Sequence, residues 1–118
     1  MFMQIKTAFS DGTSEQLKII DATLDEPKAN EVLIKMVATG VCHTDTAGRD
    51  GLTTPLPVSL GHEGAGIVEQ VGSSVMDLQP GDHVVLSFAY CGRCQHCLTG
   101  HPGMCENFNE LNFFFFNF

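Results

Sequence analysis

Cys91-Gly92-Arg93-Cys94-Gln95-His96-Cys97, followed by seven residues and then Cys105, is the stretch that constrains this chain most. Four Cys, three Gly, two His and one Pro occupy these fifteen residues, with no hydrophobic periodicity. Something other than an apolar core must order the segment. Two cysteines three apart can grip one ion, because the intervening turn aims backbone amides at the sulfurs and stabilises thiolates. Four thiolates complete a tetrahedron, the closed geometry of a structural zinc site. Such a metal contributes folding energy directly, since the unfolded lobe has no preformed site. An iron–sulfur cluster is a second metal reading of four thiolates. Four unrelated buried cysteines, or two disulfides, are the unremarkable alternative, and a fifth cysteine, Cys42, already forbids complete internal pairing. Four thiolates and one divalent ion sum to −4 + 2 = −2, which takes the formal net charge from −8 to −10. Arg93, His96 and His101 lie within the lobe and soften that charge.

Working outward toward the N-terminus, Gly40-Val41-Cys42-His43-Thr44-Asp45 and Gly61-His62-Glu63-Gly64-Ala65-Gly66 form a second candidate. A lone Cys is usually a small buried hydrophobe. Here Cys42 and His62 each sit close to glycine and are each followed by a carboxylate, Asp45 or Glu63. A catalytic zinc takes about three protein ligands and keeps one position open. Cys42 and His62 supply two; Glu63 is the third, or the third lies outside this chain. Gly61, Gly64 and Gly66 do not make a phosphate loop, because that fingerprint requires a strand before it and a helix after it. Here Pro57 to Leu60 precede the glycines and Ile67-Val68 follow them.

The rest of the pattern is β-rich. Met3 to Phe9 and Leu17 to Ala22 read as strands around the turn signal Ser10-Asp11-Gly12-Thr13. Glu31 to Thr39 reads as a strand buried on much of both faces. His43 to Arg49 fits a short helix, and Gly51 to Leu60, with Pro55 and Pro57, an extended loop. Ile67 to Val71 and His83 to Phe88 are two further strands, with turns at 72–74 and 79–82. The expectation is one mainly-β domain over residues 1–113, carrying the lobe 91–105, and an atypical Phe-rich tail over 114–118.

Composition excludes several classes. The chain has 118 residues, 14 acidic against 6 basic, so the basic face a nucleic-acid binder needs is missing. Anionic membrane surfaces are disfavoured for the same reason. The longest purely apolar block, Phe113 to Phe116, is four residues, far short of a spanning helix of about 20. Met1-Phe2-Met3-Gln4-Ile5-Lys6 has no basic region leading into an apolar stretch, so a cytoplasmic location is expected, where thiols stay reduced. With 43% hydrophobic residues the chain can form one core, burying roughly two-thirds of its unfolded surface. The tail places the rings of Phe113 to Phe116 and Phe118 in water unless they are covered. Self-association, or folding of the tail onto a vacant face, is expected.

Taken in order, Gly-Val-Cys42-His43-Thr44-Asp45, Gly61-His62-Glu63-x-x-Gly66-x-Val68-x-x-Val71-Gly72, Gly81-Asp82-His83-Val84 and the four lobe cysteines resemble the zinc-dependent alcohol dehydrogenases of the medium-chain dehydrogenase/reductase superfamily. The resemblance covers residues 3–113. It implies that family's N-terminal catalytic domain, a GroES-like, partly open β-barrel with a structural-zinc lobe at Cys91, Cys94, Cys97 and Cys105. It implies Cys42 and His62 as catalytic-zinc ligands and Glu63 as a carboxylate that transiently joins them. Thr44 then takes the alcohol's proton, Asp45 orients His62, and His43 contacts the cofactor pyrophosphate. The complete subunit would hold two Zn²⁺ and use NAD or NADP to oxidise a primary alcohol to an aldehyde. It would be a homo-oligomer.

The departures are specific. The family's third catalytic ligand, a later cysteine, has no counterpart within these residues, and the Rossmann domain is missing, so the fragment alone is expected to be inactive. Ala47 stands where many relatives carry a relay histidine. Phe108 to Phe113 is similar to the aryl-alcohol branch. Two other readings compete: a stand-alone zinc-binding interaction module of the same fold, and a quinone reductase, whose relatives lack the zinc ligands and the cysteine lobe.

Overall fold

A computed structural model of the chain describes residues 2–113. β1 (Met3–Ser10) and β2 (Lys18–Leu24) form an antiparallel hairpin with register from Met3↔Leu24 to Phe9↔Lys18. Asp11 builds the connection: its Oδ1 accepts from the Thr13 amide at 2.9 Å and its Oδ2 from Lys18 Nζ at 3.0 Å. The Thr13 hydroxyl and amide, then Lys18, hold its carboxyl well below the usual carboxylate range. The other edge of β1 pairs with the two-residue β4 (Val58–Ser59), giving the order β2-β1-β4. A second three-stranded sheet has the order β3-β5-β6, from Val32–Gly40, Glu63–Val71 and His83–Val85. α1 (His43–Arg49) follows β3, as the sequence pattern predicts. α2 (Gln95–Leu98) and a 3-10 turn at Pro102–Met104 shape the lobe, and α3 (Phe108–Asn112) follows it. The mainly-β expectation holds. The Phe-rich tail over 114–118, with the self-association expected of it, lies outside the described residues.

Four local differences have physical causes. β5 begins at Glu63, four residues before the expected Ile67. Glycine weakens a strand in isolation, yet here it permits close approach. A Cβ on Gly66 would strike the Lys35 carbonyl, and one on Gly64 would strike the Met36 and Leu86 side chains. β6 stops at Val85 instead of reaching Phe88; Leu86 N still donates to Gly64 O at 2.8 Å, and the chain then turns toward the lobe. Val58 and Ser59 of the expected loop 51–60 form β4, because Leu60 N also reaches Ala8 O, at 3.0 Å.

The fourth difference is β3, which is not buried on both faces. Residues 35–39 are exposed, with Val37 at 70%. β3 is an edge strand, paired with β5 on one side only. The core is correspondingly thin. Among the described residues the buried hydrophobics are Val68 and Cys105. The β3–β5 ladder, rather than a packed interior, therefore aligns the segments that carry the chemistry.

Gly66→Ala tests this. The added methyl meets backbone, which cannot rotate away, so roughly 1–3 kcal/mol of stability should be lost. Urea denaturation against Gly103→Ala, whose Cβ would meet nothing within 4 Å, supplies the comparison. Equal midpoints for the two variants would contradict the tight β3–β5 approach.

Candidate metal centres

The pairing of β3 with β5 sets Gly40 opposite Glu63. Cys42 lies two residues past the end of β3, and His62 one residue before the start of β5. Residues far apart in sequence thereby meet: Cys42 Sγ is 3.2 Å from His62 Nε2. Glu63 Oε1 lies 3.9 Å from the same nitrogen. One donor atom from each of Cys42, His62 and Glu63 lies within 4.8 Å of the others. Gly40 makes room for this, since a Cβ there would collide with the Glu63 carboxylate.

Asp45 locks the arrangement from beneath. It sits in the first turn of α1, where its Oδ2 accepts from the Cys42 amide at 3.0 Å, which caps the helix start. Its Oδ1 lies 3.2 Å from His62 Nδ1, off the line a hydrogen bond prefers, and is otherwise buried without a partner. A buried carboxylate on the far nitrogen of an imidazole is the device that orients a metal-binding histidine. Here it turns Nε2 toward Cys42 and Glu63. Thiol, imidazole and carboxylate together are donors that suit zinc.

Thr44 and His62 line a cleft closed by Leu60, Phe88 and Phe113. The Phe88 ring stacks on His62, with centroids 5.3 Å apart and planes 18° from parallel. His43 is exposed and lies outside that cleft. Ala47 offers no polar group to extend a proton path from Thr44. Of the expected residues, Cys42, Asp45, His62 and Glu63 form one cluster, Thr44 faces the cleft, and His43 stands apart. Sequence reasoning missed Gly40, Phe88 and Asn112. Gly40 was legible only as a strand end, and Phe88 only as a strand residue. Asn112 was legible only as part of the stretch Phe108 to Phe113 that is similar to the aryl-alcohol branch.

The lobe forms a separate centre. The sulfurs of Cys91, Cys94, Cys97 and Cys105 all lie within 4.8 Å of one another. Cys91 and Cys97 are 4.0 Å apart and all five cysteines are free thiols. Four sulfurs at ~2.3 Å from a tetrahedral zinc stand roughly 3.8 Å from each other. The turns aim amides at sulfur as the spacing predicts. Arg93 N and Cys94 N donate to Cys91 Sγ at 3.4 and 3.3 Å, and Cys91 N donates to Cys105 Sγ at 3.3 Å. The Arg93 amide above all brings the Cys91 thiol down to about 6, and the Cys97 amide lowers Cys94. Burial, then the neighbouring thiols, pushes Cys97 up to about 12. Amides thus favour charge on two sulfurs while crowding opposes it on a third. A divalent cation relieves that conflict, so the donor set fits a metal.

With the fold and both centres in view, comparison places the chain. It belongs to the alcohol dehydrogenase GroES-like domain family, which it matches over residues 28–114. It is 46% identical over 112 residues to the geraniol dehydrogenase of Castellaniella defragrans, covering 95% of this chain and 30% of that protein. The benzyl alcohol dehydrogenase structure from Acinetobacter calcoaceticus superposes with a TM-score of 0.89 at 44% identity, covering 98% of this chain and 32% of that one. An alcohol dehydrogenase zinc-binding domain protein from Burkholderia ambifaria gives a TM-score of 0.90 at 43% identity, covering 96% and 31%. The chain therefore spans about 30% of the length of the relatives it matches. The GroES-like, mainly-β expectation agrees with these neighbours. Among the described residues, no helix is long and apolar enough to cross a membrane.

Cys94→Ser removes one of the four thiolates. The zinc-loaded variant should lose the lobe metal on dialysis, and residues 91–105 should become protease-sensitive. Elemental analysis before and after dialysis decides; full retention would contradict a four-thiolate centre.

Proposed function

We propose that this chain is the N-terminal catalytic domain of a zinc-dependent alcohol dehydrogenase that oxidises primary alcohols to aldehydes with NAD or NADP. The observation that carries this is the convergence of Cys42 Sγ, His62 Nε2 and a Glu63 oxygen within 4.8 Å, with His62 and Thr44 on the wall of one cleft. Cys42 and His62 would hold the catalytic zinc. Glu63, or a residue beyond this segment, would supply a third donor. Cys91, Cys94, Cys97 and Cys105 would hold a structural zinc. When bound, the catalytic ion would supply a Lewis acid that lowers the pKa of an alcohol hydroxyl. The nicotinamide supplies the hydride acceptor, held by a cofactor-binding domain of the longer protein.

The chain's own residues then have these tasks. Thr44 accepts the substrate's hydroxyl proton, and its own proton leaves toward solvent, because Ala47 cannot take it. Asp45 keeps His62 in the tautomer and plane that present Nε2. Leu60, Phe88 and Phe113 exclude water from one side of the cleft and offer ring faces. His43, exposed at the start of α1, would meet the cofactor's pyrophosphate. Aromatic walls favour an alcohol whose carbinol carbon bears a flat unsaturated group. The names of the geraniol and benzyl alcohol relatives support the same substrate class.

Thr44→Val keeps the side-chain shape and removes the hydroxyl. In the longest natural reading frame that carries this sequence, kcat/KM for benzyl alcohol should fall by about 10²–10⁴ while zinc content stays constant. Unchanged turnover in the variant would sink the assignment of Thr44, and absence of any alcohol-dependent NAD(P) reduction in the parent would sink the function.

A further inference from the structure

The amide of Asn112 pairs with both backbone groups of a single residue. Its Nδ2 donates to Ala89 O at 2.9 Å and its Oδ1 accepts from Ala89 N at 2.8 Å, as a neighbouring strand would do. The same Nδ2 donates to Phe108 O at 2.9 Å. This matters because the β5–β6 ladder ends just before. Among the described residues, the bond from Leu86 N to Gly64 O is followed by no backbone–backbone bond to residues 87–90. Asn112 supplies the partners that the missing strand would have given.

The clamped residue is next to Phe88, whose ring lies on His62 at 5.3 Å and 18°. Phe88 also packs on Phe108 at 5.1 Å and Phe113 at 6.0 Å between centroids. Both rings belong to the segment that Asn112 anchors. Thr54 Oγ1 donates to Phe113 O at 2.5 Å and fixes that side of the cluster to the cleft wall. Phe88 is 40% exposed, so packing alone does not hold it; the backbone beneath it must be held.

We propose that Asn112 is a positioning residue for the Cys42–His62–Glu63 centre. By clamping Ala89 it keeps the Phe88 ring on His62, so that stacking fixes the plane of the imidazole while Asp45 fixes its rotation. The same amide joins the strand end entering the cysteine lobe to the helix leaving it, so order in the lobe reaches the metal-binding histidine. The proposal rests on the reading of that centre as the metal site.

The test is nuclear magnetic resonance of the His62 ring in the zinc-loaded chain, with the His62 signals assigned by His62→Gln. Asn112→Asp keeps the shape but turns a carboxylate toward the Ala89 and Phe108 carbonyls. It should shift the Ala89 amide and move the His62 ring protons downfield, as they lose the shielding of the Phe88 face. Phe88→Leu should move the His62 signals in the same direction. If Asn112→Asp shifts the Ala89 amide alone, the clamp is structural and the proposal fails. It fails equally if Phe88→Leu leaves His62 unmoved. Should Asn112→Asp not fold, Asn112→Ser is judged by the same two signals. Failure of the dehydrogenase reading appears elsewhere, as absent alcohol-dependent turnover, and leaves these shifts unaltered.

Discussion

The antiparallel pairing of β3 with β5 is the constraint on which both the shape and the chemistry depend. Its register, Gly40 opposite Glu63, determines that the chain leaving one strand and the chain entering the other meet at Cys42 and His62. A strand slip by one residue would turn every side chain to the other face and separate that pair. Two irregularities, at Leu33/Ile34 and Met36/Ala38, let β3 follow β5 over nine residues without losing this alignment. Glycine makes the approach possible at three points: Gly66 against the Lys35 carbonyl, Gly64 against Met36 and Leu86, and Gly40 against the Glu63 carboxylate.

Little else in the described residues fixes the site by bulk packing. With Val68 and Cys105 as the buried hydrophobics among the described residues, order comes largely from hydrogen bonds. Asp45 joins the start of α1 to His62, and the Cys91 sulfur gathers two amides of its own turn. In the lobe a bound cation would become part of folding, because thiolates that crowd each other would become its ligands. The two centres differ in the same respect. One has four sulfurs and is closed. The other has a thiol, an imidazole and a half-exposed carboxylate beside a cleft, which leaves room for a reacting molecule.

Much of this was legible from sequence, for identifiable reasons. The cysteine spacing carries its own geometry, because a three-residue step closes a turn around sulfur whatever the surrounding fold. The pair Cys42 and His62 was legible through flanking glycines and carboxylates and through the ordered motifs of the family resemblance; the strand register that brings them together was not. The early start of β5 was hidden because glycine weakens a strand in isolation, while the contacts that favour Gly64 and Gly66 come largely from β3. The exposure of Val37 was hidden because an apolar β-branched run looks the same at an edge as in a core. Phe88 and Asn112 act through tertiary contacts with His62 and Ala89, and nothing in their local sequence announces either one.

Competition for zinc between this chain and a chromophoric chelator tests the central claim most directly, that the β3–β5 pairing builds a second centre distinct from the lobe. The account predicts two classes of site. Four thiolates should hold one ion tightly, and the Cys42–His62–Glu63 cluster, with its three donors, should release the other first under mild chelation. The weaker class should vanish in His62→Gln while the tight one persists. Two sites of equal affinity, or a weak class indifferent to His62, would contradict it.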